Sequence, residues 1–394
     1  MSFDYDVTII GAGPIGSSLA YNLARENLKV CLIDKKKVIG LPLQCAGIVN
    51  KRILSLNEIP EDLILNHVKG ANLHSKSHSL SVSKDETQAF IIDRVGLDQF
   101  LFNRAIKNDV DCHLSSKVVN IDSESGLVEF KSESTVKSIS SKIIVGADGP
   151  QSLVSKSLGN EIDTYDASQY LVKVENIENM EFVDLYAGEN LFPGFIWNIP
   201  VYKNIYRIGM FSNYNCKEQS EILDKFLEKE FNHSNYEVLE KYKGKIPIFN
   251  GKNLLVKNRV LLIGDAASQV KPTTGGGLLI GFESVQFAFK SIVKSLEESD
   301  LEILNDYAND FEKRFSKEFS YQFKVQKTLC TLSDEDLDYF FIKLKEKEAD
   351  KLISEYGDMD NQSALVKEFL KRGLILDLLP AIHKRELAKI WLLK

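Results

Sequence analysis

The chain has 394 residues, a composition ordinary for a globular protein and a formal net charge of −7, which argues against nucleic acid as its main partner. That length buries a large core and divides into two or three regions, yet no apolar run approaches the roughly 18 residues that a membrane span needs. Five scattered cysteines with no CxxC pair and six histidines without metal-ligand spacing fit a reducing, cytoplasmic setting rather than a disulfide framework or a zinc site.

The first strand follows the N-terminus directly, so no secretory leader is expected. Residues 7–10 are an apolar run that reads as a buried parallel strand. Gly11-Ala12-Gly13-Pro14-Ile15-Gly16 follows, then a helix over residues 17–26 and a second strand ending at Asp34. This order is the fingerprint of dinucleotide binding. Gly11 permits the tight turn, Gly13 lets a pyrophosphate approach the backbone, and Gly16 lets the helix pack on the strand. The helix aims its free amides and positive dipole end at the phosphates, and Asp34 can accept the hydroxyls of a ribose.

Residues 41–66 mix loop and helix and include Pro42-Leu43-Gln44-Cys45-Ala46-Gly47. Residues 69–92 alternate as antiparallel strands. Arg94 opens a helix that continues over 95–108, and strands follow at 112–121 and 127–131. A buried strand at 143–145 ends at Gly146-Ala147-Asp148-Gly149. Residues 160–255 are rich in aromatic and β-branched residues and read as a separate sheet, with a polar helix near 217–231. Residues 259–265 return to the buried-strand pattern. The turn Thr273-Thr274-Gly275-Gly276-Gly277 then leads into a helix through Ser295, and from residue 301 onward the chain is helical and strongly charged.

Three features narrow the dinucleotide: Arg94 at a helix start, Asp148-Gly149 at one strand end and Gly264-Asp265 at another. In this order the sequence resembles the flavin-dependent oxidoreductases of the para-hydroxybenzoate hydroxylase type. The resemblance implies FAD as cofactor, with Asp265 on the ribitol chain and Arg94 as a fork donor near the ribityl and pyrophosphate. It also implies an α/β fold: a Rossmann-like FAD-binding domain interrupted by an antiparallel-sheet substrate domain, with a C-terminal helical region. The expected boundaries are 1–158 and 258–300 for the FAD-binding domain, 159–257 for the substrate sheet and 301–394 for the helices. Strands near 69–92 are expected to join the substrate sheet.

A narrower resemblance covers nearly the whole chain. The Cys45 loop, the segment from Gly264 to Gly277, Phe195-Ile196-Trp197-Asn198-Ile199-Pro200 and residues 332–338 are similar to segments of the geranylgeranyl reductases. Their archaeal members saturate the isoprenoid chains of digeranylgeranylglycerophospholipids. Where that family's YxWxFP motif has tyrosine and phenylalanine, this chain has Phe195 and Ile199, which keep bulk and remove polarity. The resemblance implies an FAD-dependent reductase of polyprenyl chains, with a FAD monooxygenase of the aromatic-hydroxylase type as the rival and a flavin-binding sensor as a third reading.

The implied cofactor contacts are Gly11, Gly13, Ile15, Gly16, Asp34, Cys45, Ala46, Gly47, Arg94, Val118, Asp148, Asp265, Gly276, Gly277 and Leu278. The helix beginning near Gly276 would point its dipole at the flavin pyrimidine edge. Cys45 is the candidate catalytic thiol, as proton donor or flavin tuner, with inert packing as the alternative. Phe192, Phe195, Trp197 and Tyr206 are candidates to line an apolar substrate channel, or else ordinary sheet core. No second GxGxxG unit is present, so electrons are expected from a ferredoxin-like carrier, a deazaflavin or a docking NADPH. The basic amphipathic stretch over residues 381–394 could touch an anionic membrane with Trp391 at the interface, or pack on the body.

Overall fold

The computed structural model describes residues 3–175, 180–231, 235–380, 383 and 389–391. Four buried residues in a row at the end of Tyr5–Ile10 and throughout Val30–Ile33 require cover on both faces, which a parallel sheet between helices supplies. Tyr5–Ile10 lies at the centre. Val30–Ile33 and Asp111–His113 extend the sheet to one side, and Thr135–Gly146 and Val260–Leu262 extend it to the other, all four pairings being parallel. Val256–Lys257 closes one edge antiparallel. Ser116–Asp122 and Leu127–Ser132 form an antiparallel extension from Thr135–Gly146. Helices Pro14–Ala24, Arg94–Ile106 and Leu278–Glu298 share one face through Leu19, Leu23, Leu97, Leu101, Phe282 and Val285.

A second sheet has seven strands in the order Tyr236–Pro247, Thr164–Val174, Ile205–Ser212, Ile196–Tyr202, Phe182–Tyr186, Gly70–His74 and Ser79–Ser83. The strands within residues 69–92 divide between two sheets. Gly70–His74 pairs parallel with Phe182–Tyr186, whereas Ala89–Ile92 joins Ile48–Asn50 and Ile64–Val68 in a three-stranded sheet. Burial explains the split: every residue of Ala89–Ile92 is buried, while Ser79–Ser83 buries only Leu80.

The two faces of the seven-stranded sheet differ. Tyr170, Val172, Tyr206, Ile208 and Met210 lie under helix Cys216–Glu230, which contributes Leu223 and Leu227. On the other face Trp197, Ile199, Val201 and Phe211 meet Val68, Ala89 and Ile91 of the small sheet, with Ala46 and Ile48 between them. The Cys45 loop is therefore wedged between two sheets.

The C-terminal helices are Asn305–Leu329, Asp334–Glu346, Ala349–Tyr356, Ser363–Lys371 and Leu374–Asp377. The acidic stretch at 332–338 has a structural job. Ser333 and Asp336 form a capping box, Asp338 accepts from Ser75 Oγ at 2.5 Å and Ser77 N at 3.1 Å, and Asp334 accepts from Glu189 N at 3.0 Å. These carboxylates dock the helices onto the loops of the seven-stranded sheet. No helix among the described residues is long and apolar enough to cross a membrane. Of the C-terminal stretch, residues 381–382, 384–388 and 392–394 lie outside the described residues. Trp391 is described, and it packs with Leu332, Leu337 and Leu379 and donates to Thr328 Oγ1 at 3.0 Å. Its indole is thus held against the body of the protein.

Candidate functional site

The first turn is built from glycines with opposite surroundings. A Cβ on Gly11, whose φ is +107°, would lie 2.2 Å from the Ala147 carbonyl oxygen, and one on Gly16 would lie 2.0 Å from the Gly11 carbonyl oxygen. Both glycines are required by packing. A Cβ on Gly13 would meet nothing within 4 Å, so the backbone there faces open space. The helix starts at Pro14, not residue 17, and Gly13 caps it without a side-chain bond, which leaves its first amides free for an anion. Ile15 packs its side chain against Gly281 and Gly264 and can offer only its backbone to a ligand.

Asp34 is half-buried at the end of Val30–Ile33. Its carboxylate accepts from Ala12 N at 2.8 Å and Lys36 N at 2.7 Å, which fixes the turn and leaves other lone pairs for a ribose. Ser116 N donates to the Asp34 carbonyl at 2.9 Å, so the strand carrying Val118 abuts this end of the site. The Val118 side chain itself is core, beside Ile10, Ile33 and Phe130. Asp148 accepts from Ser152 Oγ at 2.5 Å and Leu153 N at 2.8 Å, so it braces the start of the short helix that Ser152 caps. Burial raises its pKa despite those bonds. Gly149, at φ +81° with open space around a Cβ, offers the accessible backbone of this motif.

Asp265 follows the neighbouring parallel strand Val260–Leu262, at the same end of the sheet as Asp148. Burial pushes its carboxyl up to about 6, while Arg94 pulls the other way. Its Oδ1 would lie 3.1 Å from a Cβ on Gly277, so the acid and the second glycine turn share one pocket. Gly277 caps helix Leu278–Glu298 without a side-chain bond, which leaves a second set of free amides at Leu278. Gln269 holds the turn: Gly264 N donates to its Oε1 at 2.8 Å, and its Nε2 donates to Tyr307 Oη at 2.6 Å, which donates to the Leu262 carbonyl at 2.8 Å. Lys271 is buried and donates to Asp360 Oδ1 at 2.6 Å and the Met359 carbonyl at 2.9 Å, so residues 358–360 strap the turn from outside. A Cβ on Gly276 would collide with the Lys271 stem at 2.8 Å.

The Cys45 loop completes the site. Gly47 N lies 3.4 Å from Cys45 Sγ, and Gly47, at φ +76°, leaves no room for a Cβ beside the Arg207 guanidinium at 2.1 Å. Arg207 Nη1 donates to the Ala46 carbonyl at 2.9 Å and the Ile92 carbonyl at 3.1 Å. Gln169 Nε2 donates to the Cys45 carbonyl at 3.3 Å, and Trp197 Nε1 donates to Gln169 Oε1 at 3.1 Å. Arg94 pairs with Asp98 Oδ1 at 2.6 Å. Burial disfavours its charge, but Asp98 and the adjacent Cys45 sulfur outweigh this and hold its pKa above the ordinary arginine value. Burial instead lowers the Arg207 pKa, against the pull of Cys45 and Asp93. Both Nε atoms are buried without a partner.

The four candidate channel aromatics separate. Tyr206 is core under helix Cys216–Glu230, and Phe192 packs with Leu332, Leu337 and Trp391, so neither reaches the Cys45 loop. Trp197 is only 8% exposed and acts as a hydrogen-bond donor. Phe195 is half-buried and packs edge-on against Phe211 at 5.3 Å and Trp197 at 6.2 Å between ring centres. Phe211 faces a narrow crevice of about 10 Å³ whose walls include Tyr165, Ile246, Val270, Pro272 and Phe323. These wall residues come from the sheet, the second glycine segment and helix Asn305–Leu329.

Residues 4–317 match the model of the FAD binding domain family. The chain belongs to this family. A Methanocaldococcus jannaschii protein of unassigned function is 31% identical, covering 93% of this chain and 95% of its own. Digeranylgeranylglycerophospholipid reductase 2 of Methanococcoides burtonii is 30% identical, covering 88% and 89%. A geranylgeranyl bacteriochlorophyll reductase-like protein of Thermoplasma acidophilum shares the fold at a TM-score of 0.83 and 22% identity, over 95% of this chain and 99% of that one.

FAD is the cofactor of this FAD-binding chain, and the residues present suit it. Open backbone at Gly13 and Gly149, two helix starts without side-chain caps and two orphaned guanidinium Nε atoms supply uncommitted donors for phosphates and a flavin edge. Arg207, Gln169, Gln269 and Lys271 are absent from the candidates read in the sequence. Each is a buried polar residue with at least one partner far along the chain; for Gln269 and Lys271 the only signal was their place beside the Asp265 turn.

Proposed function

We propose that this protein is an FAD-dependent reductase that saturates double bonds of geranylgeranyl chains, with a digeranylgeranyl ether phospholipid as substrate. The observation that carries the reading is the apolar crevice between the second glycine turn and the sheet. Its one ammonium group, Lys271, is already paired with Asp360, so an apolar chain suits it better than a polar ring. At about 10 Å³ it is closed to a polyprenyl chain, and the walls must part for the lipid to enter. The similar Methanococcoides reductase acts, by its name, on such a lipid.

In this reading residues 1–158 and 258–300 hold FAD, 159–257 face the lipid and 301–394 cover both. The first helix amides and Gly13 hold the pyrophosphate, and Asp34 holds the ribose. Val118, Asp148 and Asp265 flank the rest of the cofactor. Cys45, Ala46 and Gly47, together with Gly276, Gly277 and Leu278, would hold the flavin. Reduced FAD supplies the hydride, and the chain supplies orientation and dryness. Cys45 Sγ is the candidate proton donor to the substrate in this reading. A ferredoxin-like carrier, a deazaflavin or NADPH provides the electrons.

The test is anaerobic. Photoreduced enzyme is mixed with digeranylgeranyl lipid, and flavin reoxidation is followed while mass spectrometry counts hydrogens gained in pairs. Reoxidation with saturation supports the reading. No reaction with lipid, together with oxygen-dependent NADPH oxidation in the presence of a phenol, would transfer the assignment to a monooxygenase.

A further inference from the structure

Two features of the Cys45 loop stand apart from cofactor binding. Its carbonyls are fixed by side chains of the seven-stranded sheet, and both ends of one amide are used. Gln169 Oε1 accepts from Trp197 Nε1 at 3.1 Å, and Gln169 Nε2 donates to the Cys45 carbonyl at 3.3 Å. The indole donor fixes which way the amide faces, because Trp can only donate and a backbone carbonyl can only accept. Trp197 is held flat on the next strand by Gly209, where any Cβ would lie 2.6 Å from the indole Cζ2. Phe195 packs against the same indole and against Phe211, a wall of the crevice.

From this geometry we infer that Gln169 and Trp197 are positioning residues that hold the Cys45 thiol in place and couple it to the apolar crevice. The inference deepens the proposed lipid reductase and rests on that reading for its link to substrate. A chain entering the crevice must press on Phe211 and Phe195, and therefore on Trp197. Displacing the indole frees the Gln169 amide and slackens the Cys45 carbonyl. Filling of the crevice and placement of the thiol become one event. The aromatic motif thus acts through a hydrogen bond on a loop more than a hundred residues away in the chain, not by lining the channel itself.

The test uses the FAD-loaded enzyme with Gln169→Leu and Trp197→Phe, and Cys45→Ser as the labelling control. Cys45 alkylation by iodoacetamide is timed by peptide mass spectrometry. Both variants are expected to label Cys45 about fivefold faster than the parent, the worth of one lost hydrogen bond, with unchanged FAD content. Rapid-mixing reoxidation should fall in rate at saturating lipid, while the half-saturating lipid concentration stays within twofold. A merely structural role would lower FAD content or melting temperature without that split. Parent-like labelling of Cys45 in both variants overturns the inference. If labelling responds but the parent flavin is never reoxidised by lipid, the positioning role stands and the substrate reading fails, so the two failures are separable. Trp197→Phe keeps the bulk of the core should Gln169→Leu misfold.

Discussion

Two loops face the candidate flavin pocket, and they are held in opposite ways. The Gly11–Gly16 turn is fixed from within its own sheet: Asp34 holds Ala12, the turn packs on its own helix, and Ala147 presses from the neighbouring strand. The Cys45 loop is held by Gln169, Arg207 and, through Gln169, Trp197, all from a different sheet. A turn built locally persists whatever the second sheet does. A loop held by distant side chains can respond to what that sheet binds. The first arrangement suits a permanent cofactor, the second a transient substrate.

The largest expected effect breaks the local turn. Gly11→Ala puts a Cβ 2.2 Å from a backbone oxygen at a positive φ, and strain and overpacking each cost about 1–3 kcal/mol. Little folded flavoprotein should be recovered. Gly13→Ala meets nothing within 4 Å, so the apoprotein should melt as the parent does while FAD affinity falls. Comparing melting curves with FAD titrations for the two variants checks this. A destabilised Gly13→Ala apoprotein would mean that the turn has no open face.

Asp265 gives the next effect, and its sign follows from linkage. Its folded pKa of about 6 exceeds the ordinary carboxyl value of 3.8, so the folded state binds the proton more tightly. Stability from this group is fully present below pH 3.8 and is lost as pH rises towards 6. By pH 8 the apoprotein carries a penalty of about 2–3 kcal/mol. Asp265→Asn should therefore stabilise the apoprotein at pH 8 and much less at pH 5, while weakening FAD binding. Melting temperatures at the two pH values decide, and an equal gain at both would refute the raised pKa.

Arg207→Met sharpens the comparison from the other side. It leaves the Ala46 and Ile92 carbonyls without their donor but also removes a buried cation whose charge burial disfavours. The net cost should be about 1–2 kcal/mol, with FAD retained through the first turn. Loss of FAD as complete as in Gly11→Ala would show that the two loops are not independent.

The same contrast explains what could be read in the chain. Strand, glycine turn and acid at 5–34 are local, so periodicity and turn chemistry reveal them directly. Gly264 and Asp265 also follow a buried strand and were visible. Gln169 and Arg207 sit in strands whose alternation marks them only as facing one side; nothing local says that their partners are carbonyls of residues 45, 46 and 92. Trp197 was visible as a motif, yet its role depends on an indole proton meeting an amide of another strand. The split of residues 69–92 between two sheets was hidden for the same reason. Alternation gives faces, not partners.

The smallest effect concerns the C-terminal stretch, where a residue that looks exposed in sequence is held in the structure. The Trp391 indole donates to Thr328 and packs on Leu332, Leu337 and Leu379, while His383 meets Asp336 Oδ2 at 2.8 Å. Trp391→Ala should cost about 1 kcal/mol and lower the melting temperature by about 1–2 °C. Because the ring already has partners, the substitution should leave flotation on anionic vesicles at the parent level. Any salt-sensitive binding should instead follow the basic side chains. If Trp391→Ala abolishes flotation without moving the melting temperature, the indole leaves the body to reach the lipid, and the contact with Thr328 belongs only to the unbound form.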